Sequence, residues 1–265
     1  MSPRSGGLAR ERVGARAVAS AELYALTHRG NPGDVEFYER LCRGARRVLE
    51  LGSGSGRVAI ALAGARRNVV GLELDAGFLA LARRNLRGAS AAKQRYLRLI
   101  HGDFRDFELG ERFERVLLPY NALYCLLTKS AALSCFRAAH RALEPGGLFA
   151  FDVWNAAPFA RSRTSEAAED DEPVVSFRHG ARTWDVFEHS RVQRARQRLQ
   201  VSYDYRARED GSSLHMVIPQ RYFLAAELDD LLTRAGFTVQ ARYGDFAEAR
   251  FTARAPQQIV IARAR

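Results

Sequence analysis

The chain has few of the residues that mark secreted, membrane-bound or metal-binding proteins. It contains 3 cysteines in 265 residues, and the spacing of Cys42, Cys125 and Cys135 fits neither a disulfide framework nor a metal site. No apolar run is long enough to cross a bilayer, and residues 1–16 are rich in Arg and Gly without the apolar core of a signal peptide. These absences predict a cytoplasmic protein with reduced thiols, no metal and no membrane contact.

Lysine is nearly absent, although the chain is strongly basic. Lys and Arg together number 41 against 30 Asp and Glu, which gives a net charge of +11, and Lys occurs only at positions 93 and 129. A charge of this size often indicates nucleic-acid binding. Here the arginines are scattered, and short clusters such as Arg46-Arg47 lie at the ends of predicted elements. We interpret the charge as solvated surface and do not expect nucleic acid as a partner.

The segment from Val48 to Arg57 is an apolar strand pattern followed by a glycine-rich turn and a helical pattern. Without Cβ atoms at Gly52, Gly54 and Gly56, the backbone can approach a ligand closely, and the first N–H groups of the helix are free to donate. The dinucleotide-binding pattern G-x-G-x-x-G requires a glycine at position 57, where this chain has Arg. The turn therefore predicts a nucleotide-type ligand that is not a dinucleotide.

Two acids and a G-D-aromatic segment accompany this turn. Glu50 precedes it, Glu73 ends the next predicted strand, and Asp103-Phe104 follow the third. In this order they resemble the class I S-adenosylmethionine-dependent methyltransferases over residues 20–265. The resemblance implies that Glu73 accepts from the ribose hydroxyls, that Asp103 accepts from the adenine amine and that Phe104 supplies a backbone N–H. An Asx turn at the strand end is the alternative for Asp103.

The resemblance implies S-adenosylmethionine as the cofactor and S-adenosylhomocysteine as its product. The leader segment that contains Tyr24 resembles the helix that closes over the methionine end of the cofactor, and either Tyr24 or Arg57 is expected at the methionine carboxylate. The implied cofactor-binding residues are Tyr24, Glu50, Gly52, Ser53, Gly54, Gly56, Arg57, Glu73, Leu74, Asp103, Phe104 and Pro119.

The segment from Pro119 to Leu127 resembles the P-F-N-S-x-x-H-L stretch of small-molecule methyltransferases. Ligands in this type of fold lie outside the carboxyl ends of the strands, so this segment is expected beside the reacting methyl group. Cys125 stands where those relatives often have His, so a base at that position cannot be assumed, and we expect the thiol itself to lie in the core. The predicted catalytic residues are Tyr120, Asn121, Tyr124 and His28.

Further acceptor-pocket residues are expected from three other segments. Asp152-Val153-Trp154-Asn155 resembles the family's D-V-F-N segment, and two aromatic segments near the end of the chain match the same subgroup. A core position for Trp154, a packed hinge and a structural loop are the respective alternatives. The predicted pocket residues are Trp154, Asn155, Tyr222 and Phe246.

Alternating strand and helix patterns predict an α/β fold with a Rossmann-like seven-stranded sheet, an antiparallel last strand and a small antiparallel β insertion. Strands are expected near 46–51, 68–73, 96–100, 114–118, 147–153, 237–243 and 258–264. Helices are expected near 17–28, 34–43, 56–64, 76–88, 130–143 and 225–235, with Pro145-Gly146-Gly147 ending the helix over 130–143.

Four regions follow from this pattern. Residues 1–16 are predicted to be a disordered arm, and residues 17–45 to be helices that close over the cofactor. The Rossmann-like domain is expected over 46–157 and 221–265. Residues 158–220 form the insertion, whose strand patterns lie at 183–192, 199–208 and 214–223 and which serves as a lid or a dimer contact.

The predicted function is transfer of a methyl group to a nitrogen or oxygen of a small molecule, a specialised metabolite. One alternative keeps the enzyme and makes RNA or protein the acceptor, because the chain is basic. The other is a non-catalytic scaffold that binds S-adenosylmethionine, because no base is evident at Cys125. The expected partners are a small-molecule acceptor and a second copy of the chain, bound through the insertion.

Overall fold

The computed structural model describes residues 17–161 and 172–265, which form a seven-stranded sheet and a separate four-stranded sheet. A helix over residues 17–27 is α1. The other helices are α2 (Asp34–Leu41), α3 (Arg57–Leu62), α4 (Ala76–Arg87), α5 (Ala91–Tyr96), α6 (Lys129–Ala142), α7 (Ala156–Arg161) and α8 (Ala225–Arg234). The predicted disordered arm at 1–16 lies outside the described residues.

The large sheet contains β1 (Arg47–Leu51), β2 (Asn68–Glu73), β3 (Leu97–His101), β4 (Phe113–Leu118), β5 (Leu143–Trp154), β10 (Phe237–Tyr243) and β11 (Gln257–Ala264). Its strand order is β10-β11-β5-β4-β1-β2-β3. Strands β1 to β5 pair in parallel, whereas β11 is antiparallel to both β5 and β10. The predicted Rossmann-like sheet with a reversed last strand is confirmed. The order reverses between β1 and β4, where open α/β sheets place their ligands.

Local sequence explains where the two longest helices of the large-sheet region, α4 and α6, begin. Asp75 accepts from the backbone N–H of Phe78 at 2.9 Å and caps α4, and Thr128 caps α6 in the same way through Ala131. Helix α6 ends at Ala142, one residue before the predicted end at 143. Strand β5 begins earlier than the predicted residue 147, because Leu143 already pairs with Phe113 of β4, and the Pro-Gly-Gly segment lies at an irregularity in this pairing.

The insertion is a four-stranded antiparallel sheet of β6 (Val175–His179), β7 (Arg182–Gln193), β8 (Arg198–Ala207) and β9 (Ser213–Arg221). The sequence predicted only three of these strands, since β6 is short and follows an acidic stretch. Residues of α1, Leu23 among them, pack into the apolar inner face beside Val186 and Tyr205. Helix α1 and the insertion sheet therefore share one hydrophobic cluster.

Within residues 17–161 and 172–265, we find no helix that is both long and apolar enough to cross a membrane.

Candidate functional site

The glycine-rich turn after β1 adopts a backbone that favours glycine. Gly52, Gly54 and Gly56 have φ angles of +66°, +53° and +83°, in the left-handed region that side chains rarely adopt. A Cβ atom on Gly54 would meet no atom within 4 Å, so this position faces open space, whereas one on Gly52 would lie 3.4 Å from the ring of Phe104. The turn is thus a cradle that a side chain at Gly54 would fill.

Glu73 lies at the end of β2 and turns its carboxylate toward the cradle. One oxygen accepts from the backbone N–H of Gly54 at 2.8 Å and the other from Asp75 at 2.9 Å. Burial raises the pKa of this carboxyl group. The next residue, Leu74, leaves 52% of its surface exposed. A fixed acceptor and an apolar surface therefore lie next to each other beside the glycine turn.

Glu50, at the end of β1, is buried with an oxygen left over. It is 3% exposed, and its Oε2 has no hydrogen-bond partner among the described residues. Such groups are rare in folded proteins and often mark a ligand site. Burial raises the pKa of Glu50 to about 8.

The Glu50 carboxyl group gives the cofactor-free protein a testable pH dependence. Its pKa rises from 4.5 to about 8 on folding, so between these pH values the folded state holds a proton that the unfolded state has lost. This contribution to stability is lost as the pH rises through that window. Glu50→Gln is neutral at every pH. We expect its unfolding free energy, measured in urea, to increase relative to that of the wild type across the window.

The exposed Glu39 supplies the control for this experiment. Glu39→Gln makes the same chemical change on the surface of α2, and we expect its stability relative to the wild type to change little with pH. A difference between Glu50→Gln and the wild type that stays constant across the window would contradict the assignment.

Asp103 and Phe104 follow β3 and lie beside the cradle. We call the space bordered by the glycine turn, Glu73 and Asp103 the cleft. Asp103 accepts from the backbone N–H of Arg105 at 2.8 Å, which is an Asx turn, and its carboxylate also pairs with the Arg105 guanidinium. The hydrogen bonds from Arg105 lower the pKa of Asp103. Its predicted contact with adenine stays a prediction, and it requires that Arg105 share or release this carboxylate.

Arg57, the first residue of α3, is committed to an acid on α2. Its two terminal nitrogens each lie 2.6 Å from an oxygen of Asp34, which is 2% exposed. The guanidinium carbon also lies 5.8 Å from the ring centroid of Tyr120. This bidentate pair fastens the N-terminal helices to the glycine turn. The predicted contact of Arg57 with the cofactor carboxylate stays a prediction.

Two consecutive residues after β4 adopt strained backbone conformations. Tyr120 and Asn121 have φ angles of 56° and 60°, and such residues cost ~1–3 kcal/mol each and cluster at functional sites. Asp152 holds the turn, since its Oδ1 accepts from the Tyr120 N–H at 2.9 Å and from the Tyr38 hydroxyl at 2.5 Å. The backbone N–H of Trp154 donates to the side-chain oxygen Oδ1 of Asn121 at 2.6 Å. The neighbouring strand β5 thereby fixes the turn.

Removing the Tyr38 hydroxyl should therefore cost stability. Asp152 is fully buried, and its other oxygen has no partner among the described residues. We expect Tyr38→Phe to lower the unfolding free energy by ~1–3 kcal/mol, because a buried carboxylate loses a hydrogen bond. Urea denaturation measures this loss. Tyr243 packs on the same Phe37 ring, and the control Tyr243→Phe should change stability by less than about 0.5 kcal/mol. Equal effects of the two substitutions would contradict this role of Asp152.

A cavity of about 430 Å³ lies between α1, the strained turn and the inner face of the insertion sheet. Its walls come from three parts of the chain that are distant in sequence. The lining residues are Tyr24, Thr27, His28, Tyr120, Asn121, Cys125, Trp154, Val174, Val175, Glu188, Ser190, Leu199, Val201, Tyr203, Ile218 and Gln220. We call this space the acceptor cavity.

His28 reaches the acceptor cavity from the end of α1. Its Nδ1 lies 3.0 Å from the carbonyl oxygen of Tyr24. A carbonyl only accepts, so Nδ1 carries the proton and Nε2 of the neutral ring has a free lone pair. The ring stacks on Tyr24 at 3.9 Å and meets Tyr203 edge-on at 4.8 Å. Burial lowers the pKa of His28, which favours the neutral form that can accept a proton.

The segment around the glycine turn is similar to a known protein family. Residues 48–147, which include the glycine turn, Glu73 and Asp103, match the model of a family described as "Methyltransferase domain". Residues 48–147 are therefore similar to methyltransferase domains, and S-adenosylmethionine is the cofactor that the sequence resemblance predicts for them.

Similar proteins extend beyond this segment. The CcbJ methyltransferase from Streptomyces caelestis is 28% identical, with a TM-score of 0.75 over 89% of this chain and 91% of that one. CalS10, an amino pentose methyltransferase from Micromonospora echinaspora, is 24% identical with a TM-score of 0.69 over 92% and 96% of the two chains, and shows the shared fold.

A curated relative from Streptomyces fradiae is 35% identical over 145 residues and is named dTDP-3-amino-3,6-dideoxy-alpha-D-glucopyranose N,N-dimethyltransferase. The alignment covers 51% of this chain and 52% of the relative, so the chain spans about half the length of that protein.

The residues around the cleft fit this cofactor. The cradle at Gly54 is open, and the Glu50 oxygen lacks a partner among the described residues. Glu73 and Leu74 offer a carboxylate and an apolar surface at the end of β2. A ribose, an adenine ring and the polar groups of a methionine require these kinds of contact.

Among the predicted catalytic residues, Tyr124 does not reach the acceptor cavity of the methyltransferase domain. Its side chain is buried, and its hydroxyl donates to the carbonyl of Trp154 at 2.8 Å. It lies in the 3-10 turn after Asn121 with its ring turned into the core. We therefore assign it a supporting role. Tyr120, Asn121 and His28 do line the cavity.

Among the predicted pocket residues, Trp154 lines the cavity and three others do not. The Asn155 side-chain amide donates to the carbonyls of Thr252 and Ala255 and thereby anchors the loop before β11. Tyr222 is 2% exposed and packs beside Trp154 without lining the cavity. Phe246 packs against α2.

The predicted core position of the Cys125 thiol is wrong. It is exposed and lines the acceptor cavity. The surrounding protein nevertheless raises the pKa of this thiol to about 11, so the sulfur is protonated near neutral pH and is not an activated nucleophile.

The sequence interpretation expected the insertion as a lid or a dimer contact but named no residue of its strands among the pocket residues. Glu188, Tyr203 and Ile218 face the cavity from β7, β8 and β9. The signal was present, since Trp184, Val186 and Glu188 occupy alternate positions on one face of β7. An acid in line with buried apolar residues indicates a polar contact, such as one with a ligand, on that face of the strand.

A second cavity, of about 600 Å³, lies on the other side of α1. Its wall includes Gly56 and Arg57 but contains neither Gly54 nor Glu73, nor Asp103. We therefore do not assign it to the cofactor.

Proposed function

We propose that this chain transfers a methyl group from S-adenosylmethionine to a nitrogen or oxygen nucleophile of a small molecule held in the acceptor cavity. The observation that carries the proposal is the position of this cavity, between the strained turn after β4 and the insertion sheet. A volume of about 430 Å³ is in the range of small-molecule sites. The Streptomyces fradiae relative is named for an amino sugar nucleotide, which supports a specialised metabolite as the acceptor.

The residues of the chain have distinct tasks in this reaction. S-adenosylmethionine supplies a methyl group bound to a sulfonium, and transfer of this methyl group leaves a neutral thioether. Tyr120 and Asn121 hold the acceptor in a fixed orientation, because their backbone is pinned by Asp152 and β5. His28 takes the proton of the nucleophile on Nε2, where the neutral ring has its lone pair. The inner face of the insertion sheet keeps water out.

The two alternatives predict different behaviour. An RNA substrate requires basic residues at the site, yet the described lining of the cavity includes neither Lys nor Arg. A scaffold requires only the cofactor cleft. It would not use a base such as His28 in the acceptor cavity. The first alternative predicts retention on RNA that depends strongly on salt, and the second predicts binding without turnover.

The test is methyl transfer by the purified protein. We expect incubation with S-adenosylmethionine and a panel of amines, amino sugars and alcohols to give S-adenosylhomocysteine and at least one acceptor heavier by a methyl group in mass spectrometry. Tight S-adenosylhomocysteine binding with no product from any acceptor would leave the scaffold. Methylation of RNA alone would support the other alternative.

Two further properties belong to the same proposal. We place the protein in the cytoplasm, and we propose that the outer face of the insertion sheet pairs with a second copy. Val217 on β9 exposes 43% of its surface, which supports an apolar contribution to such a contact. Light scattering in solution measures the oligomeric state, and a monomer at all concentrations would exclude the dimer.

A further inference from the structure

The inner face of the insertion sheet carries one formally charged side chain into the acceptor cavity. Residues at alternate positions of β7, β8 and β9 face α1 and are mostly apolar or aromatic. On β7, Ser190 is polar but neutral, and Glu188 is the charged residue of this face. The cavity lining described above contains no other acid and neither Lys nor Arg, although the chain has 41 Lys and Arg residues and a net charge of +11.

The Glu188 carboxylate lies near a phenol hydroxyl but has no cation partner. Glu188 is opposite Tyr203 in the register of β7 and β8, and burial together with the Glu188 charge raises the pKa of the Tyr203 hydroxyl. No ion pair of residues 17–161 and 172–265 involves Glu188. Arg57, whose guanidinium lies over the Tyr120 ring, is already paired with Asp34. A half-buried carboxylate without a counter-ion attracts a cation from solution.

The surrounding aromatic rings favour the same kind of ligand. Tyr24, Tyr120, Trp154 and Tyr203 all line the cavity with Glu188. The faces of aromatic rings attract cations, and the attraction is stronger where water is excluded. A negative charge within an aromatic wall is how proteins recognise alkylammonium groups.

We propose that Glu188 and Tyr203 form an ammonium-recognition site, through which the insertion sheet selects a cationic amine as the acceptor over a neutral alcohol. This inference rests on the proposed function, because it names the charge of the acceptor for that same cavity. The amine enters protonated and is held by the Glu188 carboxylate. One N–H bond then breaks, its electron pair stays on nitrogen and the proton passes to Nε2 of His28. The lone pair so released is the nucleophile.

A binding experiment tests this site separately from turnover. The probes are benzylamine, benzyltrimethylammonium and benzyl alcohol, measured by ligand-observed NMR in the presence of saturating S-adenosylhomocysteine. They share one ring and differ in charge, and benzyltrimethylammonium has no proton to lose. We expect the wild type to bind both cations about tenfold more tightly than the alcohol, and Glu188→Gln to bind all three within about twofold of one another.

Two further variants control for charge and for folding. Glu39→Gln removes the same charge from the surface of α2 and should keep the tenfold preference. Glu188→Asp keeps the carboxylate and should retain a preference for the cations, even if Glu188→Gln proves unstable in thermal melting. Equal binding of the three probes by the wild type, no binding of either cation, or an unchanged preference in Glu188→Gln would each overturn the proposal. Failure of methyl transfer with the preference intact would contradict only the proposed function.

Discussion

Gly54→Val should weaken S-adenosylhomocysteine binding at least a hundredfold while the protein stays folded. Gly54 has a φ of +53°, and its Cβ position opens into the cleft with no atom within 4 Å. A valine side chain would occupy the space that the cofactor requires close to the backbone. The backbone N–H of residue 54 also donates to Glu73, so a shift of the turn would move that carboxylate as well. Isothermal titration calorimetry measures the affinity.

Gly110 provides a matched control. It has a φ of +69° and nothing within 4 Å of its Cβ position, and it lies in the loop before β4, away from the cleft. Gly110→Val therefore has the same backbone strain, ~1–2 kcal/mol, without blocking the cradle. We expect it to bind the cofactor product normally. Equal losses of affinity in the two variants would mean that strain, and not the cradle, explains the effect. Normal affinity of Gly54→Val would place the cofactor elsewhere.

His28→Gln should lower kcat about a hundredfold with little change in cofactor affinity. A well-placed general base contributes ~10²–10⁴ in rate, and glutamine can still donate to the Tyr24 carbonyl but cannot take up a proton. In the wild type, the neutral form of His28 is required, so kcat should rise with pH through the lowered pKa of His28. The variant should lose this rise. Turnover assays across pH measure both effects.

His101 is the control for this substitution. It lies at the end of β3, where its Nε2 is 2.7 Å from the carbonyl of Leu74 and its ring does not line the acceptor cavity. His101→Gln should keep near-normal turnover and the pH profile of the wild type. If His28→Gln retained the turnover and pH dependence of the wild type, His28 would not be the base.

The proposed donor side of the site could be predicted from the sequence because its parts are close in the chain. Glu50, Gly54 and Glu73 belong to one strand-turn-helix-strand unit, and each lies where a β strand ends in the parallel sheet. Local patterns fix such a unit, since strand ends in a parallel sheet share one edge. The structure adds what no pattern shows, namely that Arg57 is held by Asp34 and Asp103 by Arg105.

The acceptor side depends on contacts between distant segments. His28 and Glu188 meet the same cavity from α1 and β7, and periodicity does not say which face of which sheet covers them. Tyr120 and Tyr124 are close neighbours in the sequence, but the positive φ angles of Tyr120 and Asn121 turn one ring to the cavity and leave the other in the core. The early start of β5 at Leu143 likewise depends on its pairing with β4, which the local turn signal of Pro145 does not show.

A crystal structure of the complex with S-adenosylhomocysteine would locate the cofactor relative to the acceptor cavity. We expect the ribose at Glu73, the backbone of Gly54 against the ligand and the sulfur at the mouth of the acceptor cavity, between Tyr120 and His28. A sulfur that faces the second cavity on the other side of α1, or one closed off from the acceptor cavity, would contradict this placement.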